Sequence, residues 1–359
     1  PISRLMEAGL SVGAAIAWSQ VLVAACLFPF VVYAASSRFR GGLAYAFGIL
    51  TLGLVTALTY GGAEGGISIS MYYNRWAWSV SFVMLALAFL PPLGRMRPAL
   101  DGTVIGVLGA VLLMLKVTYF VTMVPAAALV LLLGGNRRGF VFALLGGVAV
   151  VAVATAVLGP SHWVGYLSDL QNVAGSQVRP FVGVPLNEMI AGNRFLGASV
   201  LGLLTLLMVS RSGHAAAGRA LLILVPGFIY VTYQNFGNDP QWLLFMPFLL
   251  LALRPEPGQG EMLGLDLRHA MSGAAAVAVA LVLPSLINLA LSPLNHAAFQ
   301  RSDFVAMLPE QPAHGDLFVR IDRANTVAAM IQLDERVPAW IGYANEARQP
   351  LSLAGVTFE

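Results

Sequence analysis

In a chain of 359 residues, 58% hydrophobic and only 10% charged, the apolar fraction is too high for a soluble fold, whose charged residues make up about a quarter of the total. The formal charge of +3 rests on 19 arginines and one lysine spread over short segments. That pattern is inside-positive membrane topology rather than nucleic-acid binding, so nucleic acid is excluded as a partner. A lone cysteine, Cys26, lies within an apolar run, which rules out an intrachain disulfide and reads as a small packing residue.

The opening Pro1-Ile2-Ser3-Arg4 lacks the basic and short apolar regions of a signal peptide, and the native chain is expected to begin upstream. A helix needs roughly 20 apolar residues to cross the hydrocarbon core, fewer where packing or thinning allows. By that measure the predicted spans are residues 10–34, 42–60, 76–92, 102–115, 118–133, 139–158, 195–209, 219–234, 241–253 and 270–291. The stretch 103–135 is too long for one crossing, so it divides at Lys116 into two short helices joined by a tight turn.

Charge placement orients these spans. Alternate loops carry Arg38 and Arg40, Arg95 and Arg97, Arg137 and Arg138, Arg211 and Arg219, then Arg254 and Arg268, ten basic residues on one expected cytoplasmic face. The opposite loops hold only Arg75, Lys116, Arg179 and Arg194, which places them outside together with the tail. The expected fold is therefore an all-α integral membrane protein of about ten transmembrane helices over residues 1–292. It carries a long external loop at 159–194 and a small α/β C-terminal segment at 293–359. An interfacial helix is expected in the long loop. Residues 316–322 read as a strand and 324–333 as a short helix.

Ionisable side chains at membrane depth are costly, so they head the candidates. Lys116, the only lysine, sits in Leu115-Lys116-Val117-Thr118-Tyr119 at the expected outer boundary. Its ammonium would bind the phosphate of a lipid-linked substrate, or would merely snorkel to the headgroups. Tyr72-Tyr73-Asn74-Arg75-Trp76 opens the third span on the same side, with Asn74 and Arg75 as a polar pair among belt aromatics. Glu64, in a glycine-rich loop, reads as a general base or as a solvated carboxylate. The turn Gln234-Asn235-Phe236-Gly237-Asn238-Asp239-Pro240-Gln241-Trp242 offers amides for sugar hydroxyls, Trp242 to stack on a sugar face, and Asp239 as a base or a simple cap. The five histidines are dispersed, so no metal site of familiar spacing is expected, although a divalent ion is left open; no cofactor motif is evident.

Three elements then fall in order: Asn74 at the start of a span; Gly102, Gly106 and Lys116 on a glycine-rich helix, followed by Pro125; and Trp163-Val164-Gly165-Tyr166-Leu167 opening the long loop. Pro240-Gln241-Trp242 follows, with Pro247 beyond it. This order, over roughly residues 70–253, resembles the polytopic GT-C glycosyltransferases, family 87 in particular. The resemblance implies transfer of a sugar from a polyprenyl-phosphate donor to a glycan or lipid acceptor at the outer face of a bacterial plasma membrane, within cell-envelope polysaccharide biosynthesis. Joined to the polar residues read above, it gives Tyr73, Asn74, Arg75, Lys116, Trp163, Tyr166, Arg179, Asn238 and Trp242 as expected substrate-binding residues, and Glu64 and Asp239 as the expected carboxylates for base chemistry. The family's usual aspartate lies in the first external loop, whereas no aspartate precedes Asp101 here. Alternative readings are a non-catalytic membrane subunit that binds a partner protein, and a lipid or polysaccharide transporter. The transporter reading is weakened by the lack of internal repeats.

Overall fold

The computed structural model describes residues 2–57, 69–174, 186–235, 240–298, 300–306 and 318–321. Its helices are α1 (Ile2–Glu7), α2 (Val12–Arg38), α3 (Gly42–Thr56), α4 (Ile69–Phe89), α5 (Pro98–Leu115), α6 (Val117–Leu133), α7 (Arg137–Leu158) and α8 (Ser161–Ala174). They continue with α9 (Leu186–Ala191), α10 (Asn193–Arg211), α11 (Ala215–Gln234), a 3-10 turn Gln241–Leu244 leading into α12 (Met246–Leu253), and α13 (Leu267–Ala297). Strands are few: β1 (Glu261–Met262) pairs antiparallel with β2 (Leu265–Asp266), and β3 (Phe304–Ala306) with β4 (Phe318–Arg320). The fold is all-α.

Contacts divide the chain into two units. One comprises Ala24–Leu170 and Phe181–Pro293; the other comprises Pro1–Val23, Gln171–Pro180 and Leu294–Glu359 and contains the β3–β4 pair. That pair includes the strand expected near 316–322, while 324–333 lies outside the described residues.

Among the described residues five helices, α2, α5, α7, α11 and the greater part of α13, are long and apolar enough to cross a membrane, and α3, α6, most of α10 and α12 with its 3-10 turn are shorter apolar helices. The clearest sign of the solvent is α7. Its buried residues are only Gly139 and Gly146, while Leu144, Val148, Val153 and Val157 stand 57–76% exposed. A row of bare aliphatic side chains is unstable against water and at home against hydrocarbon, which points to a multi-pass membrane protein. Cys26, expected in packing, lies exposed on α2.

Hydrocarbon supplies no drive to bring helices together, so close backbone approach must do it. A Cβ on Gly102 would meet the carbonyl of Gly139, and one on Gly106 would meet that of Ala143. One on Gly146 would lie 2.7 Å from the carbonyl oxygen of Thr103. The pairing advances in the same direction on both helices, so α5 and α7 run parallel. α6 returns beside α5, with a Gly109 Cβ position 3.2 Å from Val124. The third predicted span starts earlier than expected: α4 begins at Ile69 rather than near 76, so Asn74 and Arg75 lie inside the helix at 6% and 2% exposure.

At the arginine-rich end, Arg38 closes α2 and meets Asp101 in the first turn of α5 at 2.8 Å, both side chains buried. Tyr33 donates its hydroxyl to the same carboxylate, and Arg38 also donates to the Leu87 carbonyl at 3.3 Å. Three helix ends are thereby tied together.

Two outcomes follow. Gly106→Leu drives a side chain into the α7 backbone and lowers the unfolding midpoint in detergent sharply, an overpacking cost of about 3 kcal/mol or more, whereas Gly53→Ala, which meets nothing within 4 Å, leaves it unchanged or slightly raised. Arg38→Met or Asp101→Leu alone destabilises by about 3–5 kcal/mol because one charge is left buried, and the double substitution recovers most of the loss; calorimetry of the cycle checks it.

Candidate functional site

α5 ends and α6 begins around one residue. Lys116 adopts an extended conformation, φ −163° and ψ 109°, serving as C-cap of the first helix and N-cap of the second. Its N–H donates to the Leu112 carbonyl and its carbonyl accepts from Tyr119 N–H. The tight turn expected at this lysine is thus a single-residue link. The break also removes the helical continuation that would use the Leu113 carbonyl. Tyr166 on α8 supplies the missing donor, its hydroxyl 2.8 Å from that oxygen. Burial pushes the Tyr166 phenol above its ordinary value.

The Lys116 ammonium is turned into the bundle rather than out to headgroups. It donates to Asn74 Oδ1 on α4 at 2.8 Å and to Asn235 Oδ1 just beyond α11. An ammonium can only donate, so both amides present oxygen. The Asn235 amide nitrogen is then left to donate to the Tyr119 hydroxyl at 3.0 Å. The faces of Tyr73 and Tyr119 flank the ammonium at 5.0 and 5.8 Å, a cation–π arrangement. Tyr119 meets Trp78 in turn in a T-shaped contact, ring centroids 5.0 Å apart.

Of the residues expected to bind substrate, the structure gathers Tyr73, Asn74 and Lys116 directly, and brings Tyr166 to the same end of α5. Trp163 lies one turn before Tyr166 on α8, donates to Thr155 Oγ1 at 2.7 Å and meets the Tyr166 ring edge-on at 6.2 Å. Arg75 neighbours Asn74 but is buried, its guanidinium 4.8 Å from the Tyr72 ring centre. Trp242 does not present the sugar platform expected of it. Its indole is 1% exposed and stacked on Phe228, centroids 5.3 Å apart, because the 3-10 turn that carries it is packed inside the bundle. Glu64, Arg179, Asn238 and Asp239 lie outside the described residues.

Tyr119 was not among the expected binding residues, although its place three residues after Lys116 was a usable signal. Asn235 was read as a sugar contact and serves instead as a Lys116 ligand. Among the described residues no carboxylate pairs with Lys116, and no three of His, Cys, Asp and Glu gather as metal ligands. The arrangement is a cationic, aromatic-walled centre with amide orientation, suited to holding an oxyanion. No protein-family model, curated protein or solved structure matches this chain.

Asn235→Leu strips one acceptor from the ammonium and one donor from Tyr119, and is expected to destabilise the protein by about 2–3 kcal/mol. Asn74→Leu, which removes a single bond, costs less. Melting curves of both variants and the double mutant measure the coupling, which is expected to be non-additive.

Proposed function

We propose that this chain is a ten-span membrane glycosyltransferase of the GT-C type, resembling family 87, that transfers a sugar from a polyprenyl-phosphate donor at the outer face of the membrane. The observation that carries the reading is the Lys116 centre. The only lysine of the chain is drawn from the end of α5 into contact with Asn74 and Asn235. Its ammonium has three N–H groups; two meet these amides, and the third serves a phosphate oxygen of the donor.

In the transfer reaction the acceptor hydroxyl attacks the anomeric carbon, the bond from that carbon to the phosphate oxygen breaks, and the proton leaves to a base. Lys116 stabilises the charge that grows on the departing phosphate, where a fixed donor in a dry site is worth most. Asn74 and Asn235 hold the ammonium in place. Tyr73 and Tyr166 line the approach to the sugar. Glu64 and Asp239 are the carboxylates assigned to the acceptor proton. Alternating arginine-rich loops, with Lys116 at the opposite end of α5 from the Asp101–Arg38 pair, support the outward placement of this centre.

One observation favours a non-catalytic subunit instead: the ammonium is already met by two amide oxygens, as a purely structural lysine would be. The two readings separate on one variant. Lys116→Ala, reconstituted in vesicles with polyprenyl-phosphate sugar and acceptor, is expected to lose transfer by about 100-fold or more while retaining a folded melting transition. Transfer by the variant at the level of the unaltered protein would remove Lys116 from the mechanism, and no transfer by the unaltered protein itself would leave the subunit reading.

A further inference from the structure

A cleft of about 320 Å³ runs between α5, α6 and α7 and is walled by hydrocarbon. Its floor is Gly106, Gly109 and Ala110, and its sides include Phe120, Ala128 and Leu144. From Phe120 to Leu131 on α6, and from Phe140 to Val151 on α7, the lining extends over eleven residue-to-residue steps. At 1.5 Å per residue that is about 16 Å, close to one leaflet's share of a hydrocarbon core about 30 Å thick. A helix about 10 Å wide over that length would fill on the order of 1,200 Å³, more than the roughly 880 Å³ of empty space in the cleft. The cleft takes a single chain.

Its head is set by charge. Arg137, Phe140, Leu144, Val148 and Val151 follow one another at helical spacing on α7, so Arg137 stands at the foot of the stripe that forms the cleft wall. Arg137 and Arg138 are both exposed, and neither pairs with a carboxylate among the described residues. At the other end, Lys116 is turned to Asn74 and Asn235, and the Tyr166 hydroxyl is taken by the Leu113 carbonyl. We infer that the α5–α6–α7 cleft is a binding site for an anionic phospholipid, one acyl chain lying in the cleft and the phosphate held by Arg137 and Arg138. Guanidinium groups grip phosphate bidentately, and basic pockets between membrane helices are suited to such headgroups. The site is distinct from the donor site proposed above and does not depend on it.

The test uses the full chain in phosphatidylcholine vesicles containing phosphatidylglycerol with a photoactivatable group in its acyl chain, with labelled positions mapped by peptide mass spectrometry. Labelling is expected to concentrate on the cleft faces of α6 and α7. Ala128→Phe, which fills the cleft, and Arg137→Gln with Arg138→Gln, exposed changes that leave the fold alone, are each expected to reduce it about tenfold. The equivalent phosphatidylcholine probe is expected to label the cleft weakly. Four outcomes would overturn the inference: equal labelling by both lipids, label spread over Val153 and Val157, cross-linking of the cleft to a second copy of the chain, or loss of label on Lys116→Ala but not on the arginine changes. The last would make the cleft the donor's chain site.

Discussion

A half-buried ammonium facing a low-dielectric interior needs oxygen atoms around it, and that requirement organises one end of this molecule. Lys116 draws its acceptors from residues far apart in sequence, Asn74 on α4 and Asn235 beyond α11, and so fixes both to the α5–α6 link. The same link exposes the Leu113 carbonyl, which Tyr166 covers and thereby anchors α8. One extended residue between two helices thus sets the position of three further elements. Fifteen residues earlier on the same helix, about 22 Å away along its axis, Asp101 performs the corresponding task with Arg38 and Tyr33. α5 is pinned at both ends by polar contacts that hydrocarbon strengthens.

Between those ends, α5 is held by glycine. Gly102 and Gly106 let its backbone touch that of α7 so closely that a methyl group could not be added, and dispersion over that contact replaces the hydrophobic drive that lipid removes. The small residues have a second consequence. Where the backbones meet at Gly102 and Gly106 the helices are tight; where Gly109 and Ala110 face α6 and α7 without filling the space, a cleft remains. Packing and cavity come from one stripe of missing side chains. The outward faces of α7 then need no partner but hydrocarbon.

The helices were legible in the sequence because their cause is local. Apolar runs bounded by arginine or glycine predicted residues 139–158 where α7 covers Arg137–Leu158, and 219–234 where α11 covers Ala215–Gln234. Lys116 was legible as a helix break because a charge interrupted a run too long for one span. The start of α4 was not: the polar Asn74 and Arg75 read as an external boundary, whereas the Lys116 contact and the Tyr72 ring give them partners inside the helix. Trp242 was misread for a related reason. An aromatic beside a polar turn resembles an interfacial platform, and only the stacked ring of Phe228 closes it into the interior.

Composition and the lengths of apolar runs by themselves determined the solvent, the helical class and the break at Lys116, since each depends on the free energy of a short segment in hydrocarbon. What the sequence left open was partnership. That the amides of Asn74 and Asn235 converge on one ammonium, that Arg38 finds Asp101, and that the glycines of α5 face those of α7 depend on which helices lie side by side. Helix adjacency is a property of the whole packing, and no local pattern encodes it.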